Sequence, residues 1–196
     1  MPDLQKAKQY AINYLGAELS KSFIYHNLSH TLDVYEAVIR LAKHQGVTDH
    51  ELMLLKTAAL YHDIGLVKGL DDHEKMSVRM VKEVLPGFNY SQEEIEAICG
   101  MIRATEIPQT PHCLLEELLC DADLDYLGRD DFFMTASKLH LEWKCMKVKV
   151  LSLKEWIQFE MSFLQSHSYF TQAAKDLRDT CKNDNLLELQ NVCGES

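Results

Sequence analysis

Glycine and proline interrupt this chain rarely, 8 and 4 times in 196 residues. The segments between them repeat apolar residues at a helical period, and little alternates as a strand would. In "TLDVYEAVIRLAKHQG", Leu32, Val38, Ile39, Leu41 and Ala42 lie near one stripe, and Gly46 follows as a stop. Thr48 and Glu51 form a capping-box pair that opens "ELMLLKTAALYHDIG". That segment is apolar nearly all round, which predicts the most buried helix, ended by Gly65 and Gly69. Asp72 is placed to cap "HEKMSVRMVKEVLPG", which stops at Pro86-Gly87. Ser91 with Glu94 and Ser152 with Glu155 mark two more helix starts, and Pro108 and Pro111 break the chain. "HCLLEELLCDADLDYLG" reads as a helix ending near Gly128, "DDFFMTASKLHLEW" as another, and "FTQAAKDLRDTCKNDNLLELQ" closes the chain.

The expected fold class is therefore all-α: one compact bundle of about eight helices in a single domain over residues 1–196. Its core would span about 22–130, with C-terminal helices over about 131–185 packed on it and 186–196 open to fraying. Hydrophobic residues at 46% suffice for a sizeable core. Thirty acidic against twenty basic residues give a net charge of −10, which disfavours a nucleic-acid partner. A small phosphorylated ligand is still admissible where a local cation reverses the potential. No apolar run reaches about 18 residues, so no membrane span is expected. The N-terminus lacks a signal-peptide pattern. None of the six cysteines is spaced as CxxC, so they read as free thiols of a cytoplasmic protein. A homo-oligomer is compatible with all of this.

Against that helical background some polar residues are out of place. His62 and Asp63 stand inside "AALYHDIGL", and no Lys or Arg lies within four residues of Asp63 in that helix. A carboxylate in an apolar helix is costly unless a positive charge meets it. A divalent metal would supply that charge, and His with carboxylate is a normal ligand pair. Adjacent helical positions point about 100° apart, so both reach one ion only where the helix ends. Further donors are needed. His30 is one. Of Asp121, Asp123 and Asp125, Leu119 and Leu127 at −4 and +4 favour Asp123 as the buried member. The competing reading is a satisfied core histidine beside a solvated acidic helix start.

The order His30, His62-Asp63, Asp123 resembles the H…HD…D signature of the HD superfamily of metal-dependent phosphohydrolases. "YHNLSH" is similar to the YHNxxH stretch of the cyclic-nucleotide phosphodiesterases and of small bacterial HD proteins. "YHDIG", "HEKMSV", "MIRAT" and "DADLDYLG" resemble further segments of that bacterial group, so the likeness runs from about Tyr25 to Gly128.

The resemblance implies a divalent ion on His30, His62, Asp63 and Asp123, with Fe, Mn, Zn, Co, Ni and Mg not distinguished. Such an ion lowers the pKa of a bound water and polarises a phosphoryl oxygen. The implied activity is hydrolysis of a phosphate ester of a nucleotide or other small molecule, the alternative being a metal-loaded nucleotide sensor without turnover. Catalytic candidates are Asp63, His26 and Glu74. His26 matches a general acid, or else fixes the entrance loop. Glu74 orients a ligand or water, or else simply favours a helix N-terminus. Asp121 and Asp125 read as supporting or capping groups. Thr105 is a phosphate donor or a helix cap, and Lys68, Arg103 and Arg129 are phosphate clamps or surface charges. Di-iron relatives carry extra histidines between the HD pair and the last Asp. Here only His73 and His112 lie in that interval, so a full second protein-ligated site is not expected, while an ion held by Asp63 and waters is admissible.

Overall fold

The computed structural model describes residues 1–194. Nine α-helices and three short 3₁₀ helices make up its regular structure, with no strand among the described residues. The chain divides into two units, one of Met1–Ser20 with His26–Asp123, the other of Lys21–Tyr25 with the chain from Leu124 onward.

In the first unit, α1 (Leu4–Glu18), α2 (Leu28–Ala42), α3 (Asp49–Tyr61), α4 (His73–Val84), α5 (Gln92–Ala104) and α6 (Leu114–Asp123) follow in order. The capping boxes at Thr48/Glu51 and Ser91/Glu94 form as their spacing predicts and open α3 and α5. α3 is central, packing against α1, α2, α5 and α6. Its last five residues, Thr57 to Tyr61, are fully buried. Tyr61 Oη donates to Ala7 O at 2.9 Å, and Thr57 Oγ1 lies 2.7 Å from Tyr90 Oη. The apolar all-round pattern of α3 has this packing as its cause.

Two punctuation marks act differently from their sequence reading. α3 ends at Tyr61, and Gly65 lies within a 3₁₀ helix over Ile64–Lys68 rather than at a terminus. A Cβ there would sit 2.1 Å from His73 O and 2.6 Å from Ser77 N. Glycine is required because α4 crosses at backbone contact. Gly65→Ala should destabilise the protein by about 3 kcal/mol or more, since overpacking against backbone cannot be relieved by a rotamer change. Urea denaturation of the two proteins measures this. Asp72 occupies the N-cap of α4 but makes no capping hydrogen bond. Its φ is 54°, and its carboxylate pairs with Lys75 instead.

In the second unit a 3₁₀ turn over Asp125–Gly128 precedes α7 (Phe132–Met146), α8 (Leu153–Ser166) and α9 (Gln172–Cys193). Its core includes Tyr25, Tyr126, Leu127, Phe132, Met161 and Leu164. Arg178 grips Asp125 in a two-pronged contact at 2.8 and 3.0 Å, and Asn185 Nδ2 donates to Leu127 O and Arg129 O. α9 stays helical to Cys193, through most of the stretch where fraying is expected, and residues 195 and 196 lie outside the described part. Glu160 on α8 is 2% exposed, and neither carboxylate oxygen has a hydrogen-bond partner. Burial pushes its carboxyl up to about 7. No described helix is long and apolar enough to cross a membrane.

Candidate metal centre

Three helix ends of the first unit bring the predicted ligands together. Asn27 caps α2, its side chain accepting from the N–H groups of Ser29 at 2.8 Å and His30 at 3.3 Å, which fixes His30 on the first turn. His62 directly follows α3. At Asp63 the backbone leaves the α region (φ −105°, ψ 6°), so the adjacent side chains converge rather than diverge. Asp123 is the last residue of α6.

The donor atoms cluster tightly. His62 Nε2 lies 3.3 Å from His30 Nε2, 3.2 Å from Asp63 Oδ2 and 3.4 Å from Asp123 Oδ1. His30 Nε2 lies 3.2 Å from Asp123 Oδ1 and 3.5 Å from Asp63 Oδ2. His30, His62 and Asp123 each offer one atom to a common point. His62 Nδ1 is 2.8 Å from Ala59 O, so Nδ1–H donates to that carbonyl and turns Nε2 toward the cluster. Asp63 is 94% buried by its 6% exposure, and its Oδ2 has no hydrogen-bond partner.

These atoms need a positive charge among them. A proton on His62 is one answer: burial opposes it, but the charges and contacts of Asp63 and Asp123 hold the ring pKa well above its ordinary value. Both carboxyls are held below the usual range, against burial, by the histidines they face. A metal ion is the other answer. Ligand atoms about 2.0–2.1 Å from one ion lie roughly 3.0 Å apart in octahedral and 3.4 Å apart in tetrahedral geometry. The observed spacings of 3.2 to 3.5 Å match that range, and the mixed imidazole and carboxylate set suits a transition metal. His30, His62 and Asp123 therefore fit a divalent ion, with Asp63 beside the two histidines.

Other predicted residues fall nearby. His26 precedes α2 on an irregular segment, not on the helix, yet its ring centroid is 5.8 Å from that of His30 and 6.3 Å from that of His73. Glu74 Oε1 lies 3.4 Å from His73 Nε2. His73 is the residue the sequence reading left out of the site. Its Nε2 is 3.4 Å from Asp63 Oδ1, and its Nδ1 is 3.0 Å from Leu70 O. Burial lowers its pKa, but Asp63 and Glu74 outweigh that and hold it at about 9. The "HEKMSV" segment itself carried the signal, because a short 3₁₀ turn returns its first residue to the HD pair.

A model of the HD domain matches residues 27–126, just over half of the chain. The chain belongs to the HD domain family. This HD protein is 35% identical over 86 residues to an uncharacterized protein of Clostridium beijerinckii, an alignment covering 41% of the chain and 53% of that relative. The chain thus spans about half the length of the curated relative it matches. It superposes on the crystal structure of a predicted HD superfamily hydrolase from an uncultured Thermotogales bacterium with a TM-score of 0.64 at 19% identity, covering 99% of this chain and 93% of that one. A Lactobacillus plantarum protein superposes with a TM-score of 0.69 at 18% identity, over 98% and 97%. At these identities the two structures show a shared fold.

One expectation for the HD protein's site does not hold. Asp123 is not the most buried of its acidic trio: Asp121 is 1% and Asp125 3% exposed, while the Asp123 side chain is 17% exposed. Helical spacing cannot order them, because α6 stops at Asp123 and Asp125 turns into the second unit to meet Arg178. Of the two roles read for Thr105 the structure shows the cap: its hydroxyl donates to Ile102 O at the end of α5. Arg103 pairs with Glu96, Arg129 forms a two-pronged pair with Asp131, and Lys68 is exposed.

Proposed function

We propose that this HD protein is a metal-dependent phosphohydrolase that cleaves a phosphate ester of a nucleotide or another small phosphorylated molecule. The observation that carries the reading is the cluster of His30, His62 and Asp123, with the buried Asp63 Oδ2 3.2 Å from His62 Nε2 and 3.5 Å from His30 Nε2. These four would hold a divalent ion, which when bound polarises a phosphoryl oxygen and makes a nucleophilic water available near neutral pH. The rest is the work of the chain. His30 and His62 offer neutral nitrogen donors, and Asp63 and Asp123 offset the charge of the cation. The centre is then a spot without net negative charge on a chain of net charge −10, where an anionic ester can reach the ion's open positions. His26 is beside His30, in position to give a proton to a leaving alkoxide. Glu74 is next to His73 and supports the same wall of the site. We infer a reducing, cytoplasmic setting, supported by the buried thiols of Cys99 and Cys120.

Two experiments test the reading. Purified protein loaded in turn with Mn, Fe, Co, Ni, Zn or Mg is assayed on nucleoside mono-, di- and triphosphates, cyclic nucleotides and aryl phosphates. Hydrolysis of at least one class is expected, and tight binding without turnover would instead make the protein a sensor. In the second, His26→Ala should retain its metal while kcat falls about 10²–10⁴-fold, the usual span for a general acid. Metal loss in that variant, measured by elemental analysis, would make His26 structural.

A further inference from the structure

The metal reading leaves Asp63 Oδ1 without a task, and the fold supplies one. Asp63 presents its two oxygens to different partners: Oδ2 to the Nε2 atoms of His30 and His62, Oδ1 to His73 Nε2 at 3.4 Å. His73 meets acceptors at both ring nitrogens, Leu70 O at 3.0 Å on Nδ1, and Asp63 Oδ1 and Glu74 Oε1, each at 3.4 Å, on Nε2. The ring is therefore directed by Leu70 and faces the two carboxylates as a donor.

The backbone around it is fixed to match. α4 begins at His73 and presses on the 3₁₀ turn that follows Asp63, so closely that only glycine fits at position 65. Gly65 N–H donates to the fully buried Ser77 Oγ at 2.9 Å, one helical turn beyond His73. Gly65 and Ser77 thus set the depth of α4, and α4 sets His73 against Asp63. A carboxylate held through one oxygen loses rotational freedom and keeps the other aimed at the centre.

We propose that His73 is a positioning residue: it holds Asp63 by Oδ1 so that Oδ2 stays turned toward the His30–His62 nitrogens, with the Gly65–Ser77 contact locking it in place. The role rests on the metal reading above. It assigns a purpose to the glycine of "YHDIG" and to the His and Ser of "HEKMSV" that neither caps a helix nor touches substrate.

The test compares Co²⁺ binding by wild type, His73→Leu and His73→Gln, following affinity by competition with a chelator and geometry by the visible absorption of bound Co²⁺. Gln carries its amide N–H about where the imidazole Nε2–H sits, and Leu carries no donor. His73→Leu should bind the ion about 10–100-fold more weakly, the usual cost of losing a partner of a metal ligand, with displaced absorption bands. His73→Gln should recover most of the affinity and the wild-type spectrum. Circular dichroism confirms the fold of each variant. Equal affinity in wild type and His73→Leu overturns the positioning role alone, as does His73→Gln falling as far as His73→Leu. Wild-type protein that takes up no Co²⁺ defeats the metal reading and this proposal with it.

Discussion

Asp63→Ala protein, purified beside wild type, is expected to lose its metal and its hydrolytic activity together. Asp63 faces histidines through both of its oxygens. It lies 3.2 Å from His62 Nε2 and 3.5 Å from His30 Nε2 by one oxygen, and 3.4 Å from His73 by the other. Removing an outer partner of a ligand costs roughly 10–100-fold in affinity, so removing the ligand should cost at least about 100-fold. Elemental analysis after gel filtration and an assay on the best substrate measure the two losses. The fold should survive, because the variant discards a buried carboxylate with an unpartnered oxygen and leaves His62 anchored to Ala59. Asp63→Asn, which keeps the shape without the charge, should bind metal weakly. Activity surviving in either variant without metal would contradict the mechanism.

The second large effect lies away from the metal. Glu160 is buried on α8 with both oxygens unpartnered, and its carboxyl is pushed up to about 7. The folded protein thus keeps this group protonated where the unfolded chain ionises it at its ordinary value of 4.5. Its effect on stability is absent below pH 4.5, grows unfavourable as pH rises, and is complete above about 7. The size is about 3 kcal/mol at pH 8, from about 1.4 kcal/mol for each tenfold change in proton affinity. Glu160→Gln removes the titration and keeps the volume. The stability of this variant minus that of wild type, from urea melts at a series of pH values, should rise by about 3 kcal/mol between pH 4.5 and 7 and be flat outside that window. Groups common to both proteins cancel, including His167, whose buried ring is lowered to about 4. A difference independent of pH would show that Glu160 finds a partner or water in solution.

Much of this was legible in the sequence because it depends on local chemistry. A capping box is closed by residues three apart, and those at Thr48, Ser91 and Ser152 all form. The candidate ligands were legible too, since His30, His62-Asp63 and Asp123 stand in motifs whose flanks are themselves recognisable, and the fold brings donor atoms of His30, His62 and Asp123 together. What sequence reasoning missed depends on contacts between elements. Gly65 looked like a helix stop because glycine usually is one. Its reason is the approach of α4, which no local pattern records. His73 was passed over because it lies ten residues from the HD pair, off any shared helix face, and only the 3₁₀ turn over Ile64–Lys68 returns it to Asp63. Asp125 shares the spacing of Asp123 but turns away once α6 ends, toward an arginine 53 residues later. Glu160, on a helix face that otherwise reads as core, gave no sign that burial would leave it without a partner.

Hydrolysis is expected to depend on one ion held by His30, His62, Asp63 and Asp123. The direct measurement is a titration of chelator-treated protein with the most active metal, following turnover of the best substrate against ions bound per chain. No turnover is expected at the start, then a linear rise and a plateau as the site fills, with His62→Ala inert throughout. Undiminished hydrolysis by the metal-stripped protein, or a fully loaded protein inert on every phosphate ester offered, would contradict it.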